Sequence, residues 1–405
     1  MLDDFKLAWR NVWRNTRRSL ATMAAMGIGL FVIVLYSGLV TGYLNGLETG
    51  ALDLGIGDGQ VHADGYREKP SLYLSIAGGA ELVEALEAEG FEAAPRLLGV
   101  GLGAGEDNSS GVRIVGIDVE ADADIGEVQE RVASGTWLSP DDRGVVLGRR
   151  VAENLHLEVG GELVILSQGA DGSMANDLYE VRGVLGPVNE GIDRGGVFMT
   201  EAAFRELMVF PEGFHEIIFR IPAGAELEAA TSRAASKAAE GVEVASWRTL
   251  NPGLSSMLQS AEGAMAVMMG IIYIAVGIVV LNAMLMAVFE RIREFGVLKA
   301  IGFGPAKVFR LIMLETAIQA MFAVGTAIVL SLPANYYLST VGIDMRNFGN
   351  MSVMGVAFDP IWKSIVSVDT YLRPTLSLLV IIGLSVLYPA ARAALLRPLD
   401  AIRHQ

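Results

Sequence analysis

Four uncharged apolar runs punctuate the chain: Leu20–Leu47, Gly263–Phe289, Thr316–Ile343 and Pro374–Ala391. A bilayer core takes about 20 apolar residues in a helix, so the first three are long enough to span with tilt, and the fourth is just adequate. Between the second and third runs lies Glu290–Glu315, which is charged and amphipathic. Flanked by two spans, it has to lie against one membrane face, with Gly302-Phe303-Gly304-Pro305 breaking any helix there. The first run follows Arg10, Arg14, Arg17 and Arg18, as in a signal peptide. Its apolar core exceeds the roughly 7–15 residues of such a segment and no A-x-A site follows, so a retained span is predicted.

The long stretch between the first two spans carries shorter periods. Gln60–Tyr66 reads as a strand, Gly79–Glu89 as a helix and Phe91–Gly103 as a strand. The order returns in Phe214–Ile221, Ala225–Glu240 and Val242–Trp247. Two β-α-β units about a hundred residues apart suggest one α+β subdomain interrupted by another. The interrupting part is turn-rich and β-like at Val112–Val119, Val145–Leu147, Leu163–Leu166 and Tyr179–Leu185. Ser167–Asp177 is polar and reads as an exposed hairpin tip.

Charge orients these pieces. Net charge is −15, from 31 basic and 46 acidic residues in 405. Asn45 to Glu262 holds 15 basic and 37 acidic residues, a net of −22, so the remainder is +7. Basic residues cluster in Lys6–Arg18, Arg291–Arg310 and Arg392–Arg403, which four spans place on one side. The positive-inside rule makes that side cytoplasmic and the acidic insert extracytoplasmic. Residues 1–18 predict an amphipathic interfacial helix, with Phe5, Trp9, Val12 and Thr16 on one side and Lys6, Arg10, Arg14 and Arg17 on the other.

Little in the chain suggests catalysis. There is no cysteine, hence no disulfide or thiolate site. Gly99–Ala104 matches G-x-G-x-x-A, but Glu106-Asp107-Asn108-Ser109-Ser110-Gly111 follows where a dinucleotide fingerprint needs a helix. His215-Glu216 opens like H-E-x-x-H, yet Phe219 holds the second histidine's place. The histidines at 62, 156, 215 and 404 lack metal spacing. No G-x-x-x-x-G-K-[ST] loop is present, so no cofactor is expected in this chain. Glu315 is the one carboxylate near a span, and pairing with Arg310 or Lys299 is the expectation there.

Three motifs carry a resemblance. E-R-x-R-E-F-G-x-L-K-A-I-G at Glu290–Gly302, W-R-N-x-x-R-N-x-R-R-S-L at Trp9–Leu20, and Y-P-A-x-R-A at Tyr388–Ala393 with R-P-L-D-A-I-R at Arg397–Arg403 resemble the ABC-transporter permeases that include FtsX, MacB and LolC/LolE. Gly148–Glu162 and Tyr179–Gly186 resemble the external core of MacB and LolC/LolE, and the layout is most similar to LolC/LolE. The resemblance implies an α-helical membrane protein with four transmembrane helices plus a large mixed α+β extracytoplasmic domain. Its implied organisation is a cytoplasmic helix 1–18, span 19–47, and periplasmic core 48–258 with a porter-like subdomain interrupted by a sabre-like one at 105–210. There follow span 259–290, coupling segment 291–310, span 311–338, periplasmic loop 339–373, span 374–391 and cytoplasmic tail 392–405.

The implied function is a non-catalytic permease subunit of a bacterial inner-membrane complex that extracts lipoproteins. A MacB-like efflux permease and an FtsX-like mechanical signalling protein are the alternatives. Implied partners are a separate ABC ATPase dimer binding ATP and Mg, a second identical or homologous permease, a lipoprotein, a periplasmic carrier and membrane lipid, with no nucleic acid. ATPase contact is expected at Glu290, Arg291, Arg293, Glu294, Phe295, Leu298, Lys299, Ile301 and Gly302. Carrier contact is expected at Gln168, Asp171, Met174 and Asn176. Met257, Met265, Met268 and Met269 could line a substrate cavity, methionine being an adaptable apolar surface.

Overall fold

A computed structural model describes residues 2–52, 55–344, 352–353, 356–357 and 361–395. Arg397–Arg403, part of the third motif, lies outside the described residues, as does His404. The described parts of 1–45, 259–347 and 360–405 form one compact unit, and those of 46–258 with 348–359 form the other.

In chain order the elements are α1 (Leu2–Arg14), α2 (Thr16–Leu52), β1 (Gly59–Ala63), α3 (Gly79–Ala88), β2 (Glu92–Ala104), β3 (Ser109–Ile117) and α4 (Val119–Ile125). Next come β4 (Val132–Gly135), β5 (Val145–Leu147), α5 (Arg149–Leu155), β6 (Glu162–Gln168), β7 (Met174–Leu185), α6 (Glu190–Gly195), β8 (Gly196–Thr200) and α7 (Glu201–Met208). The series ends with β9 (Glu216–Arg220), α8 (Leu227–Lys237), β10 (Val242–Ser246), α9 (Trp247–Leu250), α10 (Pro252–Phe289), α11 (Ile292–Ala300), α12 (Pro305–Thr340) and α13 (Val368–Leu395).

The insert domain is a ten-stranded mixed sheet ordered β10-β1-β9-β2-β3-β8-β5-β7-β4, with β6 pairing both β2 and β7. Its β10-β1-β9-β2 end is two interleaved β-α-β units, since β1 pairs antiparallel with β9 and β10 while β9 pairs antiparallel with β2. Helices α3 and α8 cover one face there: Leu82, Leu86, Ala230 and Ala234 meet Val61, Ile217 and Phe219 in a buried cluster. The helical period of α3 brings Leu82 and Leu86, four residues apart, onto that face. A second core under α5 and α7 gathers Leu97, Ile114, Val151, Leu163, Val197 and Phe204. Side chains cap the starts of α4 and α7: Asp118 accepts from the amides of Glu120 and Ala121, and Thr200 Oγ1 from Ala203 N.

In the other unit α2, α10, α12 and α13 are each long and apolar enough to cross a membrane. Their shared core holds Met26, Leu30, Val280, Val308, Ile312, Leu378 and Ile382. Helix α1 lies along α12, with Ala8 and Val12 buried against Leu311 and Ile318. Trp9 and Trp13 sit on Phe322, at ring-centroid distances of 5.8 and 5.6 Å.

The segment leading into α13 is laced between α2 and α12. Ile365 N–H donates to the Gly38 carbonyl at 3.1 Å, Ser364 N–H to the Leu338 carbonyl at 3.1 Å, and Ser364 Oγ bonds buried Asn335. Gly42 permits this approach, because a Cβ there would stand 1.9 Å from the Lys363 carbonyl oxygen. Gly42→Val is therefore expected to destabilise the bundle by at least about 1–3 kcal/mol, since backbone rather than a flexible side chain must move. Gly46→Ala, with open space around it, should be neutral or stabilising by up to about 1 kcal/mol. Thermal unfolding in detergent would separate the two; equal melting temperatures would refute the close approach.

Candidate coupling site

Helix α11 is cut to nine residues by its own sequence. Gly302 adopts φ +103°, Gly302 N–H donates to the Lys299 carbonyl and Phe303 N–H to the Leu298 carbonyl. That pair of bonds around a left-handed glycine is a Schellman stop. Gly304 and Pro305 then open α12, the proline sitting where no amide donor is needed.

One face of α11 is clasped by polar bonds. Arg291, just ahead of it, is 7% exposed and bonds Glu315 of α12 through Nη1 and Glu294 through Nε at 2.8 Å. Glu315 is equally buried, and its other oxygen accepts from Asn11 Nδ2 of α1 at 2.6 Å. Glu294 also pairs with Arg14 of α1, and Arg18 stands 3.6 Å from Glu290. Lys299 donates to the Ala394 carbonyl of α13 at 2.7 Å. Burial alone would pull the Arg291 guanidinium down, but Glu315 and then Glu294 hold it above its ordinary value. Glu294 is likewise pushed up by burial, yet Arg291 and Arg14 keep its carboxyl below the usual range.

This geometry corrects several expectations. Glu315 pairs with Arg291, while Arg310 reaches Asp4 and Lys299 caps α13. Phe295 is 1% exposed and packs in the bundle core with Ile312, Ala390 and Ala393, so it cannot face a soluble partner. Arg291 is withdrawn in the same way. Leu298 and Glu294 are half-buried. The outward surface is Glu290, Arg293, Val297, Ile301 and Gly302, with Val297 and Ile301 at 54% and 71% exposure. Val297 escaped the sequence reading, although it sits one turn before Ile301 on the same face. Asn11 and Arg14 escaped it as well, because their partners lie far along the chain.

The hairpin tip is tied down rather than freely projecting. Ala170 N–H donates to the Met208 carbonyl at 2.7 Å, and Asp171 Oδ1 accepts from Ser173 N and Oγ at 2.9 and 2.6 Å. Gln168, Asp171, Met174 and Asn176 are all exposed, Met174 by 78%. The four methionines are dispersed. Met257 belongs to the insert domain, Met265 sulfur accepts from Tyr36 hydroxyl at 3.4 Å, Met268 is half exposed, and Met269 packs on the bundle core.

Four helices long and apolar enough to cross a membrane, an α11 bonded to α1, α12 and α13, and a large mixed domain inserted after the first long helix are the features of a membrane permease with an extracytoplasmic domain. Residues 19–237 match the MacB-like periplasmic core domain, and residues 266–396 match the FtsX-like permease C-terminal domain. The chain belongs to this family of bacterial inner-membrane ABC-transporter permeases, the FtsX/MacB/LolC type. The lipoprotein-releasing system transmembrane protein LolC of Neisseria meningitidis serogroup B is 22% identical over 332 residues, 77% of this chain and 78% of that one. LolC of Xylella fastidiosa is 20% identical over 288 residues, 68% of each chain. Among solved structures, the periplasmic region of MacB from Actinobacillus actinomycetemcomitans aligns with 50% of this chain and 94% of its own, at 11% identity and TM-score 0.38.

Proposed function

We propose that this chain is the permease subunit of an ATP-driven complex that lifts lipoproteins out of the cytoplasmic membrane and passes them outward. The observation that carries the reading is the Asn11–Glu315–Arg291–Glu294–Arg14 network, buried at Glu315 and Arg291 and open to solvent at Arg14. A load on the outer face of α11 passes through it to α12 and α1 instead of being absorbed by a loose loop. In this reading the load comes from a separate ATPase dimer holding ATP and Mg, which touches Val297, Ile301, Arg293 and Glu290. A second permease completes the membrane unit. The insert, with porter-like and sabre-like parts, hands the lipoprotein to a soluble carrier, which meets Asp171 on the turn and Gln168, Met174 and Asn176 at the adjoining ends of β6 and β7. Energy input is needed because extracting an acyl chain costs about 0.8 kcal/mol per CH₂.

The test is release of an acylated lipoprotein to a soluble acceptor from liposomes holding the permease and its ATPase. Release should require ATP and fall at least about tenfold in Ile301→Asp, which places a charge on the apolar contact without touching the core. ATP-dependent activation of an external partner with no lipoprotein released would replace this reading with mechanical signalling.

With the chain ends inside, the insert domain lies outside. Single cysteines at Asp171→Cys and Glu228→Cys, in a chain without cysteine, should react with a membrane-impermeant thiol reagent in spheroplasts. Labelling only after lysis would reverse the orientation.

A further inference from the structure

The insert domain holds a cavity of about 800 Å³, within the range of small-molecule sites. It forms where β2 changes neighbours: residues 92–96 pair with β9 and residues 102–104 with β6, leaving Leu97–Gly101 in the gap. Directly opposed residues share a face of a sheet. That rule sets His62 beside Glu216 and Glu216 beside Arg96, with Leu98 and Val100 further along the same face and Arg113 opposite Val100.

His62 and Glu216 lie on the floor, and a row of buried ionisable groups runs inward from them. His62 Nε2 lies 3.6 Å from Glu216, Glu216 lies 3.8 Å from Arg96 Nη1, and Arg96 Nε lies 2.6 Å from Asp122. Arg96 is balanced by Asp122, so Glu216, 9% exposed, is a carboxylate in excess. The opposite sign stands at the rim: Arg113 is exposed, while Arg67 is engaged by Glu243 at 2.6 Å. Leu72, Leu98, Val100 and Met208 supply apolar wall. Buried Tyr66 also lines the space. Burial first and Glu216 second push its phenol up, against the opposing pull of Arg113, so it stays a hydrogen-bond donor.

We propose that this cavity binds a small zwitterionic amphiphile, its primary ammonium at Glu216, its carboxylate or phosphate at Arg113 and its apolar part along Leu98 and Val100. A purely apolar guest would strip water from the Glu216 carboxylate and leave it only the Arg96 charge at 3.8 Å, which Asp122 already engages. A guest bearing both charges satisfies floor and rim together, in surroundings where each pair is stronger than in water. Free hydrophobic peptides and ethanolamine phospholipid headgroups both carry this chemistry.

The absence of cysteine gives a direct readout. Val100→Cys places one thiol in the cavity at a position 74% exposed, and its modification rate by a methanethiosulfonate reagent is followed on the full chain in phosphatidylcholine nanodiscs. Leucyl-glycine and dihexanoyl phosphatidylethanolamine are the probes, with dihexanoyl phosphatidylcholine, whose quaternary ammonium lacks N–H donors, as the control. At least one probe should slow labelling about fivefold or more. Glu216→Gln and Arg113→Ala should each raise the half-protecting concentration about tenfold. Arg113 is on the surface, so that variant keeps the test intact if Glu216→Gln fails to fold. Protection by the dipeptide alone identifies a free zwitterion, and by the ethanolamine lipid alone a headgroup. No protection by about 10 mM of either probe, protection by the choline lipid equal to theirs, or protection unchanged in Arg113→Ala overturns the proposal.

Discussion

Asp122→Ala is expected to destabilise the insert domain by about 3–5 kcal/mol, the usual result of removing one member of a buried ion pair. The Arg96 and Asp122 side chains are only 7% and 3% exposed. Burial works against the Arg96 charge, but Asp122 and Glu216 together hold its acidity below normal, with the pKa above the ordinary value. Without Asp122 the guanidinium keeps only the Gly55 carbonyl at 3.0 Å and Glu216 at 3.8 Å, and its Nη2 already makes no hydrogen bond. The loss should therefore be that of an uncompensated buried charge. Replacing both partners by apolar residues, Arg96→Met with Asp122→Leu, should recover most of it, because desolvation then no longer opposes folding. Denaturation followed by tryptophan fluorescence measures this, with exposed Asp171→Ala as the reference. A loss in Asp122→Ala no larger than in that reference would refute the buried pair as a determinant of stability.

What the sequence displays and what it hides follow from the range of the interactions concerned. Alternation and turn residues are local, so β2 (Glu92–Ala104) lies within two residues of the strand expected at Phe91–Gly103, and α3 and β10 fall where their periods lie. Helix ends beyond the lipid are less visible. Helix α10 begins at Pro252, well before the uncharged run at Gly263, because nothing between them breaks a helix and Glu262 is tolerated in one. The stop after α11 is local again, and Gly302 announces it. The clasp around α11 is not local. Asn11 and Glu315 are 304 positions apart, and no periodicity links them. The local pattern makes Phe295, Leu298 and Ile301 an apolar edge, but an apolar edge does not declare which neighbour covers it. The bundle turned out to cover Phe295, which left Val297 and Ile301 outside.

That division of α11 into a held face and an exposed face yields the second large effect. Arg291→Gln is expected to reduce ATP-dependent substrate release at least about tenfold and to lower the melting temperature of the permease, since Glu315 is left buried with only Asn11 as donor. Glu315→Gln should do the same from the other side. The two changes should be strongly non-additive, as the pair acts as one link. Arg291→Met with Glu315→Leu separates stability from transmission. Apolar packing should restore the melting temperature, whereas the bonds to Glu294 and Asn11 are gone and release should stay low. Arg293→Gln, on the exposed side of the same helix, should leave the unfolding free energy within about 0.5 kcal/mol of the parent, with the melting temperature barely moved, while weakening ATPase association. If Arg291→Gln and Arg293→Gln behave alike in both measurements, α11 is a uniform basic surface and the clasp transmits nothing.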